Sequence, residues 1–239
     1  MPFVDSAGKR MLVPDTLFHA VVSVTNNHLD AINPTRRTYI LGTYGTPDAA
    51  KSSALRALQA LTFIPDFLAA SQVHFNRGQH VENETTGDTA VISVPLPAGQ
   101  GLNMSIQAVP NTESLATTSD GLFISAPGAK NLHYMLQTAV SFTNGQPVVA
   151  ATQIRGTYMR RADAWSAAHR LLDRANYIKY SDRSDAEFWG HWPYGEEVVV
   201  HAVCAGGQTY SVSVKTAVWA DAAQKRELED LLRPAARET

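Results

Sequence analysis

Compared with itself at an offset of 114 residues, the chain shows the feature that most constrains its fold. Thr38, Ile40, Gly42, Thr43 and Tyr44 fall on Thr152, Ile154, Gly156, Thr157 and Tyr158, and Ala50, Ser52, Ala54, Arg56 and Leu58 fall on Ala164, Ser166, Ala168, Arg170 and Leu172. These are ten identities within positions 38–58, where ordinary composition gives about one or two. His19 falls on His133 at the same offset. After a six-residue shortening the match resumes, with Gly87 on Gly195, Gly99-Gln100 on Gly207-Gln208 and Ser105 on Ser213. Self-similarity at a fixed period marks a structural unit that occurs more than once. We read residues 17–109 and 131–217 as two copies of one unit. An N-terminal extension at 1–16, a Ser, Thr, Ala and Gly rich linker at 110–130, and a C-terminal helix and tail at 218–239 complete the chain.

Each copy carries the same order of elements. Runs of β-formers at Phe18 to Thr25 and Thr38 to Tyr44 predict two strands, separated by the turn-rich NNHLDAINPTRR. A helix follows: Thr46 is suited to cap it, Pro47 takes its first position, and Ala50, Ala54, Leu58 and Leu61 recur at helical spacing. Three strands come next, near Gln72 to Phe75, Thr89 to Val94 and Leu102 to Val109. The second copy repeats this around a turn at Asn144-Gly145, with a helix from about Ala162 to Asp173 and closing strands at Glu197 to Val203 and Thr209 to Lys215. Beyond it, Asp221 to Leu232 reads as an amphipathic helix with Lys225–Glu229 and Arg226–Asp230 pairs, stopped by Pro234. The expected fold is therefore α+β, a tandem duplication of a β-β-α-β-β-β unit plus a C-terminal helix. A unit of under 100 residues has a thin core and a sheet face to cover, so the copies are expected to pack as a pseudo-twofold pair with a cleft between them.

Composition narrows the class. A chain of 239 residues, 44% hydrophobic and 18% charged, is that of an ordinary globular protein rather than a disordered or fibrous one. Its apolar stretches fall short of the roughly 20 residues a spanning helix needs, and MPFVDSAGKRMLVP lacks the apolar middle of a signal peptide. The default expectation is a cytoplasmic or nuclear protein away from membranes. The single cysteine, Cys204, fits a reducing compartment and equally a mature secreted chain. A net charge of −2 argues against coating nucleic acid, whose affinity comes mainly from phosphate neutralisation. The basic face of the second repeat is the one place suited to such a partner: Arg155, Arg160, Arg161, Arg170, Arg174, Lys179 and Arg183 are interleaved there with Tyr158, Trp165, Tyr177 and Tyr180 and offset by Asp163, Asp173, Asp182 and Asp185.

The order of elements in each copy resembles the paired modules of the glyoxalase and extradiol dioxygenase class, and LFHAVVSV resembles their opening strand. That resemblance implies a small cleft enzyme acting on an organic substrate. The chain departs from the pattern in placing a second strand before the helix, and LNMSIQAV and TYSVSVKT contain no Glu where such enzymes place a metal ligand.

The repeat also supplies the candidate site residues. His19 and His133 are the histidines shared by the copies, suited to a metal or proton transfer if three or four ligands converge, and otherwise to a strand-start position bonded to backbone. Arg56 and Arg170 are the shared cations, suited to a buried acid partner or to bidentate recognition of a carboxylate or phosphate. The most specialised stretch is FWGHWPYGEE. Its Phe188, Trp189, His191, Trp192 and Tyr194 stand where the first copy has the polar FNRGQHVENETTG, which points either to a recognition loop or to a cover for the C-terminal helix with Trp219 and Leu228. Of Glu196 and Glu197, one at most can join His191, because neighbours on a strand face opposite ways. No G-x-S-x-G elbow, phosphate loop, H-E-x-x-H or Cys-x-x-Cys occurs, and Cys204 sits at a strand end where a thiol is usually inert packing. Neither a metal nor a cofactor is expected. The expected function is a ligand- or partner-binding protein, the partner being a protein or a small molecule. The cleft enzyme is the alternative.

Overall fold

The computed structural model describes residues 11–26, 35–61, 89–95, 100–124, 131–143, 146–183 and 192–232. Among them the fold is α+β, with three α-helices and antiparallel sheets. The chain divides into two compact units, one formed by Met1–Ser125 with Ala217–Thr239 and the other by Ala126–Thr216. Among the described residues no helix is long and apolar enough to cross a membrane.

In the first unit, β1 (Met11–Leu12), β2 (Thr16–Asn26), β3 (Thr35–Tyr44), α1 (Pro47–Leu61), β4 (Thr89–Pro95), β5 (Gln100–Pro110) and β6 (Thr117–Thr118) follow in order. The main sheet runs β3-β2-β5-β4, antiparallel throughout. Thr46 starts α1 as its sequence implies: its Oγ1 accepts the Ala49 N–H at 3.3 Å, and Pro47, which has no N–H to satisfy, takes the first turn. Strand alternation sends Ala20, Val22 and Val24 to one face, where Tyr39, Leu41, Leu102, Met104 and Ile106 join them against Ala50 and Ala54 of α1. The same core takes Val218, Leu228 and Leu232 from the chain's end, where α3 (Ala222–Leu232) begins at Asp221, whose carboxylate accepts the Ala223 and Gln224 N–H groups at 2.9 and 3.1 Å.

The segment read as a linker is partly built structure. β6 pairs with β1, and Asn111 donates to the Pro14 and Leu115 carbonyls at 2.8 and 2.9 Å while accepting the Leu115 N–H at 2.8 Å. Composition suggested a spacer; a single Asn side chain bonding across 97 positions of sequence explains the order. The strand expected near Gln72 to Phe75 and the turn at Asn144-Gly145 lie outside the described residues, as do the side chains of Leu58 and Leu61.

In the second unit, β7 (His133–Thr143), β8 (Gln146–Tyr158), α2 (Arg161–Leu171), β9 (Lys179–Asp182), β10 (Val198–Val203) and β11 (Thr209–Thr216) form a sheet in the order β8-β7-β11-β10-β9. Met135, Val200, Ala202, Val212 and Val214 pack one face against Ala164, Trp165, Ala168 and Leu172. Both ends of this helix were within two residues of the sequence expectation. The four-residue β9 closes one edge of the sheet beside β10.

Candidate functional site

The side chains with the most chemistry in one place gather at the β9 edge of the second unit. A 3-10 turn at Arg174–Asn176 leads into β9, and Asp173 caps it by accepting the Ala175 N–H at 3.1 Å. The chain then runs antiparallel to β10, with Lys179 opposite Val203 and Ser181 opposite His201. Along β10, Val200 and Ala202 face α2, so His201 is turned to the opposite side by the two-residue strand period. There its Nδ1 lies 3.0 Å from the Ser211 Oγ on β11.

The loop returning to β10 lays an aromatic plate on this histidine. The rings of Tyr194 and His201 are stacked, with centroids 3.9 Å apart and planes at 14°. Trp192 meets Tyr194 edge-on at 5.0 Å and 77°, and its indole N–H is buried without an acceptor among the described residues. Gly195, with φ of +102°, permits the backbone reversal that follows Tyr194. A second aromatic group, Tyr177, Tyr180 and Tyr210, is built edge-to-face, Tyr177 lying 5.9 Å from Tyr210 and 6.4 Å from Tyr180. Tyr177, Tyr180 and Tyr210 pack on the α2 face of the sheet, Tyr180 opposite Ala202, and a cavity of about 460 Å³ at the β9 edge has a lining that includes Tyr177, Tyr180, Tyr194, His201, Arg174 and Lys179.

Burial sets the protonation of the lining. It lowers the His201 pKa below the ordinary 6.5. It raises Tyr177 and Tyr180 above 10, with the charge of Cys204 adding to the first and that of Asp182 to the second. In each case desolvation disfavours the charged form. Burial thus favours the uncharged His201 imidazole and the protonated Tyr177 and Tyr180 phenols at neutral pH.

Much of the second unit's remaining positive charge is engaged locally. Arg160 holds Asp163 through two hydrogen bonds of 2.6 and 2.9 Å, and Arg155 donates to Gln153 at 3.2 Å. Arg161 and Arg183 lie over Trp165 at 5.2 and 5.1 Å, and Arg183 also reaches Trp192 at 6.0 Å. Lys215 pairs with Glu197 at 2.5 Å. No protein-family model, curated protein or solved structure matches the chain.

The structure does not bring the shared histidines to equivalent places. His19 pairs with Thr43, whereas His133 pairs with Tyr158, one position further along the Gly-Thr-Tyr segment. His19 therefore lies on the sheet face away from α1, fully buried, while His133 lies on the α2 side, half-buried and with its pKa lowered by burial and then by the Arg161 charge. The reason is a one-residue difference in strand pairing: Val21 meets Ile40, but Leu136 meets Ile154. Among the described residues no group of three or more His, Cys, Asp or Glu is placed to hold a metal ion.

Arg56 and Arg170 are exposed on their helices, and Arg56 donates to Ser53 one turn back at 3.0 Å, so neither meets the buried acid the sequence allowed for. Phe188, Trp189 and His191 lie outside the described residues. Trp192 is half-buried and Tyr194 is 38% exposed. Leu228 belongs to the first unit's core and Trp219 is 45% exposed beside Lys225. His201 was not among the sequence candidates. The one signal for it was a histidine interrupting the apolar run VVVHAV, which by itself reads only as a strand.

Proposed function

We propose that the chain is a ligand-binding protein built on a duplicated α+β unit, with its binding groove in the second copy. Duplication is supported by three correspondences. The sheets β3-β2-β5-β4 and β8-β7-β11-β10 share one strand order. Pairing slips by a residue at Ala20/Val21 and at Met135/Leu136, and again at Ala90/Ile92 and at Val198/Val200. In both copies a Tyr hydroxyl lies where a Cβ on the glycine two residues earlier would stand 2.6 Å away, Tyr44 over Gly42 and Tyr158 over Gly156.

The observation that carries the binding reading is the Tyr194 ring stacked on His201 within the lining of the 460 Å³ cavity. Aromatic faces with a few directed polar groups are what small-molecule sites are made of, and the volume falls in their range of about 300–1,000 Å³. Among the described residues no carboxylate contacts His201, so the Ser211–His201 pair lacks the third member that orients a base for nucleophile activation.

An NMR screen of aromatic fragments against the intact chain tests this. Shift changes are expected to cluster on Tyr177, Tyr194 and His201, and the double replacement Tyr194→Ala, His201→Ala is expected to remove them while the fold persists. Fragments that perturb other surfaces only, or none at all, would overturn the reading.

A further inference from the structure

We propose that the ligand of this groove is a planar aromatic anion, its ring held against Tyr194 and His201 and its acidic group, a carboxylate or a phosphate, against Arg174 and Lys179. The inference rests on the groove being a binding site and adds the class of ligand. Its first support is charge: among the described residues the lining carries two cations and no carboxylate. Arg160 and Lys215 of the same unit are paired with Asp163 and Glu197, whereas among the described residues no carboxylate pairs with Arg174 or Lys179. Arg174 instead lies over the Tyr180 ring at 5.7 Å, which holds a guanidinium at the edge of an aromatic wall without neutralising it.

The nearby acids are turned to other work. Asp173 caps the 3-10 turn, and Asp182 lies 3.8 Å from the His169 imidazole. Neither lines the cavity. A cationic ligand would be drawn to the Tyr194 face but repelled by Arg174 and Lys179, and a neutral one would gain nothing from either charge. A planar anion satisfies both parts of the wall. It lies against the Tyr194 ring and neutralises the cations. The cavity, at about 460 Å³, takes one ring system with its acidic group.

The test titrates the full chain with naphthoate, naphthyl phosphate, naphthamide and inorganic phosphate, followed by the NMR signals of Tyr194 and His201. The two aromatic acids are expected to bind at least about tenfold more tightly than the amide, which has the same shape without the charge, and their affinity is expected to fall as salt is raised. The double variant Arg174→Gln, Lys179→Gln, both exposed positions, is expected to keep the fold and erase the preference for acid over amide. Which of the two acids binds more tightly separates a carboxylate ligand from a phosphate one. Equal binding of amide and acid, or an unchanged preference in the double variant, would overturn the anionic assignment and leave the groove standing. Inorganic phosphate binding as tightly as naphthyl phosphate would overturn the aromatic half. Failure of all four probes to move either signal would overturn the inference together with the groove.

Discussion

The His19 imidazole and the Thr43 hydroxyl lie 3.0 Å apart across β2 and β3, and the histidine is fully buried. Without water the charged ring is disfavoured, and the pKa falls from 6.5 to about 3. A histidine whose folded pKa is lowered contributes stability that is complete above pH 6.5 and is lost as the pH falls towards 3. This group is expected to remove about 1.4 kcal/mol of unfolding free energy per pH unit within that window. His133 and His201 act in the same direction, so the wild-type slope contains all three. Urea unfolding of His19→Gln at neutral and mildly acidic pH should show a slope shallower by the share of His19; a slope identical to wild type would mean that this ring is not held neutral.

Gly42 and Gly156 each lie under a tyrosine ring, so an added Cβ would meet the ring as well as its hydroxyl, with the Tyr44 Cζ at 3.0 Å and the Tyr158 Cε2 at 2.8 Å. Overpacking of this kind costs about 1–3 kcal/mol. Gly156→Ala should destabilise by that amount in the wild-type background and by clearly less in Tyr158→Ala, because the smaller side chain vacates the contact. Calorimetry of the four proteins of the cycle measures the coupling. Additive effects would show that the cost of alanine lies in the backbone and not under the ring.

How far the sequence led is visible in these residues. Thr46-Pro47, the Ala50/Ala54 stripe and the Gly-Thr-Tyr strand ends were legible because each is local chemistry: a cap, a helical period, a glycine below a ring. Ser105 and Ser213 kept their match because β5 and β11 pair with β2 and β7 in one register. His19 and His133 did not, since residue type cannot reveal a one-residue change in pairing that turns a side chain to the other face. The pairing of β1 with β6 was missed because two-residue strands have no period to read. The groove was only half visible. Its cations were noticed as a basic face, but bringing Lys179 to the edge that holds His201 and Tyr194 needs β9 against β10, a contact between segments about 20 residues apart in sequence.

The C-terminal helix α3 is part of the first unit's core, with Leu228 and Val218 fully buried and Leu232 nearly so. Arg37 of β3 donates to Glu227, fastening the helix from its exposed side, and burial followed by the Glu227 charge raises the Tyr39 pKa. Leu228→Ala is expected to cost about 2–5 kcal/mol. Hydrogen exchange should register the loss in β2, β3 and β5, while protection in β7, β10 and β11 changes much less. Equal loss of protection in both sets of strands would show that the two units unfold as one.

Tyr194 is 38% exposed, yet its ring covers one face of His201, and burial is what lowers the histidine's pKa. Removing the plate should therefore change the titration more than the fold. In Tyr194→Ala the His201 ring gains water, so its pKa should rise towards 6.5, while the loss of a half-exposed side chain should cost no more than about 1–2 kcal/mol. Tyr194→Phe keeps the ring and should leave the titration near that of wild type, which separates cover by the ring from any effect of the hydroxyl. The histidine carbon-bound proton signals, followed from neutral to acid pH, give the pKa directly. A His201 pKa unmoved in Tyr194→Ala would assign its desolvation to β9 and β11, and the stacked pair would lose its standing as the feature that keeps this imidazole neutral at the groove.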